Sequence, residues 1–164
     1  MEPFCFLNGE IVPVREARVG VYDIGLLRGF GIYEALRTFG RKPFMLGGHL
    51  ARFRASARTM GLSVPESDAR IAEILDELIE KNAPREREAL ARFILTGGEA
   101  VGGLEHDARK PPTFYILVET LEELPREVFE KGAKVITFEH ERPFSQSKTT
   151  HYIQAVLLQP ERKA

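Results

Sequence analysis

Tryptophan is absent, cysteine occurs once, and none of the 164 residues falls in an apolar run long enough to cross a bilayer. Each absence removes a class of protein. A lone cysteine closes no internal disulfide, so a stapled secreted scaffold is excluded and a reducing cytoplasm is the simplest compartment. Cys5 lies in the strand-like run "PFCFLNG" and reads as buried filler rather than as a nucleophile. No basic-then-apolar signal opens the sequence, and no membrane association is expected. Neither sign of charge dominates, with 23 Lys and Arg against 24 Asp and Glu. A nucleic-acid surface usually needs a basic excess, so that partner is not expected either. The four histidines, His49, His106, His140 and His151, lack metal-ligand spacing, and no metal site is expected. The glycines of "TGGEAVGG" lack the GK[ST] ending of a phosphate loop, and no G-x-S-x-G elbow occurs.

What is present is patterned. "PFCFLNGEIVPV" sets two apolar runs around Asn8-Gly9, a strong hairpin signal. "GIYEALRTF" alternates Ile32, Glu34 and Leu36 against Tyr33, Ala35 and Arg37, which predicts a strand with polar groups beside Tyr33. "RKPFML" reads as its short partner. From Gly47 the period lengthens. In "HLARFRASARTM" Leu50, Phe53, Ala57 and Met60 form an apolar stripe beside a polar one of His49, Arg52, Ser56 and Thr59. "PESDARIAEILDELIEKN" predicts a second helix through Ile71, Ile74, Leu75, Leu78 and Ile79. "ALARFILTGG" and "PTFYILVETL" read as strands joined by a long Gly-rich loop. Residues 1–120 thus predict an α+β domain, a β-sheet with two helices. Residues 121–132 read as a connector with a short helix. "AKVITFEHER" then reads as a strand and "THYIQAVLL" as the start of a helix. Residues 133–164 are too few for a core of their own and read as the incomplete start of a second domain.

Three side chains invite chemistry. Lys148, set among Ser145, Ser147, Thr149 and Thr150, is either a reactive amine held in a site or a solvated lysine. Arg52, on the edge of a core-packed helix, either grips a phosphate or carboxylate or is a surface charge. Arg92 alternates with buried positions in "ARFILTG" and faces either solvent or a polar cavity.

Five ordered stretches, "FLNGEIV", "YDIGLLRGFGIYEALRTF", "HLARFRASARTMGL", "ARFILTGG" and "SKTTHYIQAVLL", resemble the blocks of class IV pyridoxal-phosphate enzymes. These include branched-chain and D-amino acid aminotransferases and aminodeoxychorismate lyase. The resemblance implies that Lys148 carries pyridoxal 5'-phosphate as an aldimine, that Arg52 contacts its phosphate and that Tyr152 approaches its ring oxygen. It implies Tyr33 and Arg92 in the substrate pocket, Arg92 toward a carboxylate, with Arg28 at the pocket edge. The implied activity is amino transfer from a branched-chain-like amino acid to a 2-oxo acid, by a cytoplasmic homodimer. A lyase-like enzyme and a non-catalytic fragment are the alternatives. Relatives of this kind continue well beyond the lysine, whereas this sequence ends sixteen residues after it and reads as truncated there. His151 stands where relatives often carry Asn, and no R-x-H carboxylate trap follows "LTGG".

Overall fold

Asn8 and Gly9, both at positive φ (48° and 104°), form the turn between β1 (Phe4–Leu7) and β2 (Glu10–Pro13), as a two-residue hairpin requires. This computed structural model describes residues 2–100, 102, 105–141 and 143–159. A short helix, α1 (Ile24–Arg28), follows; it has no counterpart in the sequence expectation. Asp23 caps it by accepting from the Gly25 amide at 2.7 Å, and the same buried carboxylate accepts from Thr96 and Thr113. Gly29, at φ 69°, ends it and turns the chain into β3 (Gly31–Phe39) and its short partner β4 (Lys42–Pro43). Two helices come next, α2 (Leu46–Thr59) and α3 (Asp68–Asn82), then β5 (Ala89–Thr96) and β6 (Thr113–Thr120). The short α4 (Arg126–Lys131) and α5 (Ile153–Leu157) complete the described elements.

The six strands form one sheet in the order β2-β1-β6-β5-β3-β4, with antiparallel pairing throughout. Alternation then decides its faces. One face carries Ile32, Glu34 and Leu36 opposite Leu95, Phe93 and Ala91, which in turn oppose Phe114, Ile116 and Val118. All nine are buried. Against this face lie Leu50, Phe53 and Ala57 of α2 and Ile71, Ile74, Leu75 and Leu78 of α3, the stripes that the helical period marks out. Each Leu, Ile or Phe among them contributes roughly 1.5–3 kcal/mol when fully buried. Asn82, the last residue of α3, locks that helix to the sheet: it accepts from the Phe4 amide and donates to the carbonyls of Phe4 and Val118. The opposite face, with Tyr33, Ala35, Arg92, Ile94, Tyr115 and Leu117, is only half buried.

The architecture is the expected α+β sheet with two helices. One expected element is missing. Residues 133–141 form no strand; they are exposed along their whole length, with Val135 at 79% exposure, and no described strand lies beside them to complete a ladder. β-propensity without a partner strand leaves backbone groups to water. The last residue of that expected strand, Arg142, lies outside the described residues, as do 160–164. No helix among the described residues is long and apolar enough to cross a membrane.

Candidate active site

β4 covers only Thr38 and Phe39 of β3, so the first residues of β3 keep a free hydrogen-bonding edge. The segment around Lys148 fills it. Tyr33 N donates to the Lys148 carbonyl at 2.8 Å, Thr150 N donates to the Gly31 carbonyl at 3.0 Å, and Ile32 bridges Thr149. The hydroxyl of Ser56 on α2 accepts from the Lys148 amide at 3.2 Å. Small hydroxyl residues suit this docking, since Ser147 and Thr149 are buried between the sheet edge and its surroundings. As in a strand, successive side chains then leave on opposite sides. Thr149 turns inward, and Lys148 turns toward Tyr33.

There Lys148 Nζ lies 4.4 Å from the centroid of the Tyr33 ring. The Tyr33 hydroxyl donates to the hydroxyl of Tyr152, and the two rings meet edge to face at 5.4 Å. An amine and two phenols from residues 33, 148 and 152 therefore converge on one point at the edge of the half-buried sheet face.

Arg52 is held at the residue after Tyr33, whose side chain leaves β3 on the opposite face. Its Nε and Nη2 donate to Oε2 and Oε1 of Glu34, both at 2.7 Å, in the side-on fork that Arg makes with a carboxylate. His49, one turn earlier on α2, lies 3.3 Å from the same carboxylate. Glu34 is 0% exposed, while half of the Arg52 side chain remains open to solvent. Burial alone would raise the Glu34 pKa, but hydrogen bonds from Arg52, the Ala35 amide and His49 outweigh it and hold the carboxyl below the ordinary glutamate value. The same fork raises Arg52.

The remaining two candidates stand apart. Arg92 projects from the same sheet face as Tyr33, one diagonal step away, and pairs through Nη1 with Glu119. Of its two readings from sequence, it meets a carboxylate of its own chain at a partly exposed position. Arg28, at the end of α1, donates to the Leu27 carbonyl and borders a cavity of about 280 Å³ with Phe30, His106, Phe144 and Thr149. Neither Lys148 nor the tyrosines line that cavity, so Arg28 is not brought to the amine. Glu34 is the residue that sequence reasoning passed over. Its signal was available: a glutamate between Ile32 and Leu36 on the core face must find a cation, and Arg52 and His49 share the neighbouring polar stripe of α2.

The profile of the family described as Amino-transferase class IV matches residues 31–164. A protein of Methanocaldococcus jannaschii provisionally named a branched-chain-amino-acid aminotransferase is 33% identical over 135 residues, which is 80% of this chain and 44% of that protein. The aminodeoxychorismate lyase of Bacillus subtilis is 26% identical over 152 residues, 90% of this chain and 51% of the lyase. Among solved structures, the branched-chain amino acid aminotransferase of Escherichia coli shares the fold at a TM-score of 0.82 and 23% identity. That match covers 98% of this chain and 56% of the enzyme. The chain thus spans about half the length of the relatives it matches. With its sheet, its helices and most of its sequence accounted for in this way, the chain belongs to the class IV aminotransferase family.

Proposed function

We propose that this chain forms part of a pyridoxal-phosphate-dependent aminotransferase that moves an amino group from a branched-chain-like amino acid to a 2-oxo acid. The observation that carries the reading is the placement of Lys148 Nζ over the Tyr33 ring, whose hydroxyl bonds that of Tyr152, at one sheet edge. The donor set fits the cofactor. A primary amine suits its aldehyde, a phenol suits its ring oxygen, and a half-exposed guanidinium suits its phosphate. When bound, the cofactor supplies an electron sink for the bond broken at the substrate carbon.

The chain's own residues do the rest. Lys148 would hold the aldehyde through Nζ, and its free amine would carry the proton, acting first as base and then as acid. Tyr33 and Tyr152 would form one wall and fix the amine's position. Arg52 meets the phosphate. Arg92 receives the substrate carboxylate by exchanging it for Glu119, and Arg28 serves the pocket edge from its separate cavity. Residues 1–120 act as the amino-terminal domain, 121–132 as connector and 133–164 as part of the carboxy-terminal domain. A cytoplasmic location and a homodimer belong to the same reading, the homodimer supported by the exposed apolar side chains Tyr22, Leu26 and Leu27 on and beside α1.

The test is borohydride reduction of the 164-residue chain with pyridoxal phosphate, followed by peptide mass mapping. We expect the label on Lys148 and its loss in Lys148→Ala; a label on another lysine, or none, overturns the assignment. We further expect weak cofactor binding and slow or no turnover from this chain alone. The lyase match over 90% of the chain supports a second reading. Cleavage of aminodeoxychorismate, with no amino transfer from leucine, would favour it. A chain that binds no cofactor and acts only by association is the remaining alternative.

A further inference from the structure

Glu34 sits where a core strand ordinarily carries an apolar side chain, flanked on its own face by Ile32 and Leu36 and paired across to Phe93. An ionised carboxylate taken wholly out of water costs several kcal/mol unless it is well paired, and an apolar pair of similar volume would join β3 to α2 at least as firmly. The arrangement therefore needs another reason. Arg52 supplies it. The fork to Glu34 uses the edge formed by Nε and Nη2 and fixes both the plane and the direction of the guanidinium. Among the described residues no acceptor reaches Nη1. The outer edge, Nη1 with the second N–H of Nη2, thus faces away from Glu34 on a side chain that is half exposed. His49, 3.4 Å from Nη2 and 3.3 Å from Glu34, narrows the space in which that group can swing.

We infer that Glu34 is a positioning residue, which holds Arg52 so that the outer edge of its guanidinium meets the phosphate of a phosphorylated aldehyde cofactor. This rests on the proposed function and on the role given to Arg52 in it. A fork spent on one anion can still serve a second, because the two guanidinium edges are about 120° apart in one plane. Glu34 also lowers the net charge that the phosphate meets. The inference is that orientation outweighs this loss, since a flexible arginine must surrender rotamer freedom on binding and a clamped one has already done so.

The experiment compares pyridoxal phosphate with pyridoxal, which present the same aldehyde to Lys148 and differ in the phosphate. Both are titrated into the 164-residue chain, and the ratio of their affinities is read by absorbance. In Glu34→Gln the shape is kept and the fork is lost. We expect the preference for the phosphorylated form to fall by about tenfold, the scale on which outer partners of site groups act, with pyridoxal affinity unchanged. A fall in both affinities alike would mark a structural tie only and overturns the inference. So does an unchanged or increased preference, which would make Glu34 a competitor of the phosphate. Arg52→Lys, which keeps the charge but cannot span both anions, decides the matter if Glu34→Gln does not fold: loss of preference is expected, and full retention overturns the proposal. Arg52→Ala separates the two levels. If it keeps the wild-type preference, the role of Arg52 itself fails; if it loses the preference while Glu34→Gln does not, only the inference fails.

Discussion

Phe93 and Phe129 are the same side chain with opposite fates: the first is 0% exposed in the middle of the sheet, the second 76% exposed on α4. The contrast extends beyond these two rings. Residues up to Thr120 sort their apolar groups onto one sheet face and two helix stripes. Beyond Thr120 the large apolar side chains Leu124, Val135, Phe138, Val156 and Leu157 are all exposed, and the stretch 148–152 docks at the edge of β3. Burial follows from a partner surface, which the first region supplies to itself and the second finds at that edge. The site is made where the two regions touch.

The largest effect should come from cutting into the first region. Phe93→Ala removes a ring that packs against Phe53, and Phe-to-Ala changes in cores cost roughly 3–5 kcal/mol. Phe129→Ala should stay within about 0.5 kcal/mol. Urea unfolding followed by circular dichroism checks both. Equal losses would erase the contrast between the regions.

A second effect is set by pH. The folded Glu34 carboxyl titrates below its ordinary value, so the unfolded chain takes up a proton first as the solution is acidified. Its contribution to stability is complete above the ordinary glutamate pKa and is lost as pH falls from there through the lowered folded value. Unfolding free energy measured across that window should therefore fall with pH more gently in Glu34→Gln than in the parent chain. Identical slopes would mean that the folded carboxyl titrates at its ordinary value, so that the fork does not favour its ionised form.

How far the sequence disclosed this follows from the same contrast. The hairpin at Asn8-Gly9, the stripes of α2 and α3 and the strands β3, β5 and β6 were legible because each is a local period closed on a common core. The strand expected in "AKVITFEHER" is not formed, since a strand needs a neighbour that no local pattern can name. α1 was hidden because it is five residues long and is held by Asp23 and by packing that forbids a side chain at Gly25, where a Cβ would stand 2.4 Å from Thr96. The site was partly legible. Lys148 stood out by its hydroxyl neighbours, and Arg52 by its stripe. Their relation to Tyr33 and Glu34 depends on Thr149 bridging Ile32 across more than a hundred residues of sequence, which no spacing announces.

A smaller effect probes the contact between the regions. Ser56→Ala removes the acceptor of the Lys148 amide and should cost no more than about 1 kcal/mol. Its signature is local. Hydrogen exchange at the amides of Tyr33 and Thr150, which bond across the docked edge, should quicken, while amides shared by β5 and β6 stay protected. Uniform quickening would show that the lysine segment is integral to the core rather than laid against it.

The smallest effect belongs to α5. Leu157 is exposed, and a five-residue helix gains little from its own backbone bonds, so Leu157→Ser should change stability by less than about 0.5 kcal/mol in dilute solution. The same measurement repeated at rising protein concentration sharpens the comparison. If the loss grows with concentration, the parent chain covers this apolar side chain by self-association and the variant does not. If it stays small at every concentration, Leu157 contributes nothing between copies of this chain.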